Sequence, residues 1–439
     1  MRRTRRAASG FTLIELMVSL IAGLFVALAV VALSSAATNT FHEEARTAAA
    51  EMSLRTAVER LRADLQRAGY MSTANFQKDP FIARAPGQAP PTTGPYPGLY
   101  RLAGVHLLYQ GSTPNVPLSA AAGLAPDAIE LSGNFTSTDD YVVRYMENGT
   151  GSCAGQRLWL AVDSPAMWRV LSSPNPSATL EAMFQPVAGS QFLVRVADNT
   201  GHYQYVPTCV GQAAGVSGSG LAATAWVDLD TSNGVQILNA QQTQTVGGAS
   251  GLGVGTLRVN PVQTVRWELR PIDTTRAGDS VYSALASGDG GTGDKYELFR
   301  TYVDAAGVTT TQAELVAEYA IDLKFAFSAD LTLPGTQPHT LTVYGLSDPN
   351  NKVVADDVTN LAGMQAPQRL RSVRFRLATR SSTADRAEAL DLPLANPQQG
   401  VYPARYCVLA SCTSGQIGWA RVRAITSEVA LPNLAPYFY

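Results

Sequence analysis

Glu15 is the residue in this sequence whose type and position most demand a chemical explanation. It stands five residues into a run, Phe11 to Leu33, that is otherwise almost wholly apolar. An ionised carboxylate in hydrocarbon costs about 2.5–3.5 kcal/mol on insertion scales, so such a group needs a partner and a purpose. No lysine or arginine occurs between Arg6 and Arg46, so the partner is not on the same helix. Gly10 sits just before the apolar run, behind a basic head of Arg2, Arg3, Arg5 and Arg6. Three further sets could do chemistry: the four cysteines Cys153, Cys209, Cys407 and Cys412; the acidic residues Asp289, Asp294 and Glu297; and four histidines.

Most of these sets point to plain structure. Asp289, Asp294 and Glu297 lie on a glycine-rich turn, SGDGGTGDKYE. Hard oxygen ligands on a tight loop suit Ca²⁺, but the spacing is not that of an EF-hand, and a solvated hairpin turn explains it as well. The histidines are widely spaced and no C-x-x-C occurs, so no metal or cofactor is expected. TVGGASGLGVG, from Thr245, is glycine-rich but lacks the Lys-Ser/Thr of a phosphate loop, and reads as a connecting loop. No G-x-S-x-G, H-E-x-x-H or Walker A pattern is present, and the chain is not expected to be an enzyme. A net charge of -2 gives no bulk attraction to nucleic acid.

The N-terminal run must be positioned by a membrane. Phe11 to Leu33 is long enough, at 1.5 Å per helical residue, to cross a core of about 30 Å. The four arginines keep the short flank in the cytoplasm, which sends the remainder across the inner membrane. A cleaved signal peptide, cut near Ser34 to Ala37, and a simple signal anchor are the two general alternatives. Neither explains Glu15.

The segment Gly10-Phe11-Thr12-Leu13-Ile14-Glu15-Leu16-Met17-Val18 resembles the processing signal of type IV pilins and type II secretion pseudopilins. The resemblance implies that a prepilin peptidase cuts after Gly10 and methylates the new N-terminus at Phe11. It also gives Glu15 a role: the carboxylate of one subunit pairs with the Phe11 amine of a neighbour and sets filament register. Such a buried pair contributes selectivity more securely than stability, because both ions lose hydration.

Beyond the membrane, residues 36–70 continue as an amphipathic helix. Ala45, Ala49, Met52, Val58, Leu61, Leu65 and Ala68 form its apolar stripe. Glu51, Arg55, Glu59, Arg62, Asp64 and Arg67 lie on the other face, with Glu51–Arg55 and Asp64–Arg67 at helix-neighbour spacing. Gly69 suits a helix stop. The expectation is a single long helix whose first half is bare and whose second half lies against a globular body. The stretch Leu54 to Tyr70 is similar to the stalk end of PilW-type minor pilins and their relatives, the GspJ pseudopilins.

Strand patterns fill the body. They fall at Val105–Tyr109, Ala128–Leu131, Tyr141–Tyr145, Arg157–Val162, Gln191–Ala197 and Ala223–Leu229. Val262–Leu269, Tyr296–Tyr302, Ala313–Phe327 and Leu370–Leu377 follow. The order of the last four resembles the C-terminal half of the PilW/GspJ type. The end, Ser427 to Asn433, lacks the Arg-Asn usual there. The fold class expected is α+β, a long N-terminal helix packed on an antiparallel β-rich region. The divisions are a leader over 1–10, a membrane helix over 11–35, a stalk over 36–70, a variable β-rich region over 71–255 and a C-terminal sheet region over 256–439.

The function implied is a minor pilin taking part in assembly or priming of a type IV pilus, at or near the tip. Its partners would be other minor pilins, the major pilin, the prepilin peptidase and the inner membrane. A type II secretion minor pseudopilin and a tip adhesin are the alternatives. An oxidising compartment permits disulfides. Cys407 and Cys412 are close enough in sequence for a local bridge, which leaves Cys153 with Cys209; crossed pairs or free thiols remain open.

Overall fold

The computed structural model describes residues 12–82, 94–112, 125–149, 152–153, 155–198, 201–232, 257–276, 278–286, 295–332, 338–346, 348–355, 367–384, 405–408 and 418–434. A 55-residue helix, α1 (Leu13–Arg67), leads into an antiparallel β-rich body. At 1.5 Å per residue α1 is about 80 Å long. Short helices α2 (Pro97–Tyr100), α3 (Pro165–Leu171), α4 (Pro176–Phe184) and α5 (Asn350–Ala355) follow. The layout is α+β, as the periodicities predict.

The larger sheet has eleven strands among the described residues. Its main order is β1 (Val105–Leu108), β2 (Ala128–Gly133), β9 (Arg258–Arg270), β3 (Tyr141–Asn148), β4 (Gln156–Leu160), β8 (Thr224–Leu229) and β7 (Ala214–Ser217). The hairpin β5 (Leu193–Ala197) and β6 (Tyr203–Pro207) joins through β5, and the hairpin β10 (Glu297–Val303) and β11 (Thr309–Ala317) through β10. β2, β3, β5 and β10 all pair with β9. Its first residues lie between β3 and β5, and its later residues between β2 and β10. Pro261, which has no N–H to give a ladder, lies near this exchange of neighbours. The sheet therefore takes strands from both sides of residue 255, and that position does not divide two sheets.

The smaller sheet has the order β13 (Leu341–Val343), β12 (Ala320–Asp330), β14 (Leu370–Arg380), β16 (Trp419–Ala430) and β15 (Arg405–Cys407). The single strand pattern at Ala313–Phe327 is in fact two strands. The chain turns at Glu318 and Tyr319, where Tyr319 has φ +55°. Alternation alone does not reveal that turn, because apolar residues continue on both sides of it. Helices α3 and α4 also escape the strand patterns. Their start signals are nevertheless present: Ser164 and Asn175 cap them, each followed by proline at the first helical position.

One core joins α1 to both sheets. Leu54, Ala57, Val58, Leu61, Leu65 and Ala68 meet Leu107, Leu131 and Trp267 of the larger sheet and Phe325, Phe375 and Leu377 of the smaller. Each fully buried leucine contributes about 1.5–3 kcal/mol. Buried apolar packing begins at Leu54, although Arg46 Nη1 already donates to Thr383 Oγ1 at 2.9 Å. Ala45 and Ala49 remain exposed, and Met52 is 74% exposed, so the helix stands bare for longer than its stripe implies.

Asp64 corrects the helical wheel more sharply. It is not on the solvent face and does not pair with Arg67. It is 4% exposed, accepts from Arg300 Nε at 2.7 Å and accepts from Trp267 Nε1 at 3.1 Å. Arg67 instead donates to the Phe135 carbonyl at 2.9 Å. The expected Glu51–Arg55 pair is present at 3.0 Å. Gly69 ends the helix with φ +77° and donates to Ser132 O at 2.8 Å. A Cβ there would lie 2.5 Å from Leu434 Cδ2 and push that side-chain tip aside, but the positive φ is what favours glycine.

Candidate functional site

The bare half of α1 is the first candidate. Its most apolar stretch is long enough to cross a membrane by length and composition, and none of it is buried within the chain. Leu13, Phe25 and Leu33 are 77%, 69% and 73% exposed. Apolar exposure on this scale is unfavourable in water and marks a surface meant for lipid or for other helices.

Glu15 lies at the head of this surface, in the first turn. Thr12 is the N-cap, and the two residues form a reciprocal capping box. Glu15 N donates to Thr12 Oγ1 at 3.3 Å, while Thr12 N and Oγ1 donate to Glu15 Oε2 at 2.9 and 3.0 Å. The carboxylate thus faces the positive end of its own helix. Among the described residues it has no cationic partner. Gly10 and Phe11 lie outside the described residues.

Residues 5–34 match the family described as prokaryotic N-terminal methylation motif. The chain carries a type IV pilin-like prepilin signal. Such a signal implies processing by a prepilin peptidase, and assembly with pilin or pseudopilin partners. It makes the exposed helix a membrane anchor rather than a misplaced core helix. No curated protein and no solved structure matches the chain.

The remaining candidates separate in space. Cys153 and Cys209 form a disulfide with Cα atoms 5.6 Å apart, tying the approach to β4 to the chain after β6. Cys407 is also disulfide-bonded, and Cys412 lies outside the described residues. Of the acidic trio, Asp289 and Asp294 are outside the described residues. Glu297 is fully buried and already engaged: it pairs with Lys295 at 3.0 Å and accepts from Tyr319 N at 2.8 Å. Burial pushes its carboxyl up, Lys295 only partly opposes this, and the result is about 7. A side chain so placed serves the turn before β12. Among the described residues no group of acidic, histidine or cysteine side chains is arranged to hold a metal.

Sequence reading missed a polar cluster on the larger sheet. His106 Nδ1 lies 3.1 Å from Glu130 Oε2, and Arg266 Nε donates to Glu130 Oε1 at 2.9 Å. Burial raises the Glu130 carboxyl, but the His106 hydrogen bond and the Arg266 charge outweigh it and hold it at about 2. The signal was available: His106, Glu130 and Arg266 each interrupt an apolar alternation at the same phase.

Proposed function

We propose that this chain is a minor pilin of a type IV pilus, of the PilW type, acting in filament assembly or priming at or near the tip. The observation that supports this reading is the joining of a bare apolar helix segment, whose run to Leu33 carries Glu15 as its one carboxylate, to a large two-sheet body. The helix suits insertion among other pilin helices. The body, into whose core the helix packs from Leu54 onward, has a radius of gyration of about 20 Å for its size. That bulk fits an occasional or terminal position better than every position of a thin filament. The role is structural: the subunit nucleates or caps an assembly and performs no catalytic step.

Glu15 supplies register in this scheme. Before cleavage it caps its own helix through Thr12. Cleavage after Gly10 creates an α-amino group at Phe11, and a neighbouring subunit's amine then becomes the cationic partner that Glu15 does not have among the described residues. The test has two parts. Intact-mass analysis of membrane-extracted protein should give a chain starting at N-methylated Phe11, and a retained Met1 to Gly10 in the presence of active peptidase refutes the processing step. Sheared filaments should contain the chain far below the major subunit, and equal stoichiometry refutes the minor role.

A further inference from the structure

The two edges of the smaller sheet are finished differently. On one side β13 covers only the end of β12, at Ser328–Asp330. The rest of that edge is closed by other groups. Leu323 O accepts from Asp127 N at 2.7 Å, Phe325 N donates to Asp127 Oδ2 at 3.2 Å, and Phe327 N donates to Asn351 Oδ1 at 3.2 Å. On the other side β15 pairs with β16 only at Trp419–Arg421. From Val422 to Ala430, β16 pairs with β14 alone among the described residues, in unbroken register.

That register shows which backbone groups are left over. Leu431 N donates to Arg371 O, and Ser381 N donates to Arg421 O. The odd-numbered residues of β16 therefore turn their N–H and C=O toward β14. Ala424, Thr426, Glu428 and Ala430 turn theirs to the open side, and all four residues are exposed. No described residue bonds to those outward groups. Chains usually blunt an edge of this length with a proline, a bulge or a cover. The stretch from Val422 to Ala430 has neither proline nor bulge.

We propose that this edge of β16 accepts an extended segment of another protein as an added strand. The neighbouring side chains specify its chemistry. On the α1 side, Val429 is in the core and Ile425 packs against it, so the segment carries apolar residues at alternate positions there. Arg423 on that same side is exposed and has no carboxylate partner among the described residues, so an acidic residue fits beside it. A second copy of this chain does not fit. Arg46 reaches Thr383 near the end where Arg380 pairs with Val422, and Asn433, past the other end of β16, donates to Gln66 O at 2.9 Å. α1 and β16 thus run the same way, and two copies paired antiparallel would send their membrane helices in opposite directions. Parallel pairing of an edge with its own copy is not two-fold symmetric, since residues directly opposite do not bond each other. The open edge itself does not depend on the filament assignment.

The test uses the processed full-length protein in detergent micelles and a fluorescein-labelled peptide, Thr-Val-Lys-Val-Thr-Val-Thr-Glu, written to run antiparallel from Ala430 back to Arg423. Fluorescence anisotropy should show saturable binding. N-methyl groups on the lysine and the two threonines after it, whose N–H groups face β16, should weaken binding by about tenfold or more. N-methyl groups on the three valines, whose N–H groups face away, should change it by less than about threefold. Glutamine in place of the glutamate should weaken it by about threefold. Thr426→Pro should abolish binding while the unfolding midpoint stays unchanged, because the Thr426 N–H makes no bond to β14; the N-methyl pair tests the same ladder with the protein unaltered. The proposal is overturned if the peptide does not saturate, if the two N-methylated peptides bind alike, if glutamine serves as well as glutamate, or if Thr426→Pro retains binding.

Discussion

Removing the Asp64 carboxylate is the sharpest test of how the helix is fastened to the body. Asp64 and Arg300 are both nearly inaccessible, and the carboxylate also takes the Trp267 indole N–H. Burial lowers the Arg300 guanidinium; the charge and hydrogen bond of Asp64, together with Tyr302, outweigh it, and the net direction is upward. Asp64→Ala deletes two hydrogen bonds and leaves a buried cation and a buried indole donor unpaired. Breaking a buried ion pair from one side costs about 3–5 kcal/mol. Glu314, 3.7 Å from Arg300 and 47% exposed, offers a partial substitute and sets the expected loss near the lower end, about 3 kcal/mol. Urea unfolding of the full chain in micelles measures it. Asp64→Leu with Arg300→Met should recover the part of the loss due to the stranded cation, since the two apolar side chains need no partners, while the Trp267 N–H stays unpaired. A loss under about 1 kcal/mol for Asp64→Ala, or a double variant worse than the sum of its parts, would refute the pairing argument.

Other perturbations reach other parts of the molecule. Glu297 has a folded value near 7, above the ordinary 4.5. The native state therefore holds a proton that the unfolded state has lost, and stability falls as pH rises from about 4.5 to 7, by about 3 kcal/mol; urea unfolding across that range should show the slope, and Glu297→Gln should flatten it. Replacing Cys153 and Cys209 by serine opens a loop with sequence separation 56, for an expected loss of about 4 kcal/mol in the chain-entropy model; non-reducing peptide mapping checks the pairing first, and a peptide joining either residue to Cys407 or Cys412 contradicts it. Glu15→Ala should leave membrane insertion intact or improved while filament entry drops, and normal abundance in sheared filaments would remove the register role.

The sequence by itself determined whatever depends on local order along the chain. The basic head, Gly10, Phe11 and the apolar run define the prepilin signal within a few residues of one another. Helical period carries through to the stop at Gly69, and alternation marks strands such as Val105–Leu108 and Leu370–Arg380. Only the tertiary structure decided which residues meet across long separations. Asp64 reads as a solvent-face residue on a helical wheel because the wheel does not know that Arg300 and Trp267 lie over that turn. β9 becomes the common neighbour of four strands because its thirteen residues offer two edges to partners before and after it in sequence. Arg101 and Phe192 are unremarkable in sequence, and they share a cavity with His106 because β9 brings β1, β2, β5 and β10 together. Hydrophobic period fixes which way a side chain faces. What it faces depends on strand pairing and on the area buried between distant segments, and neither is a property of any short stretch of chain.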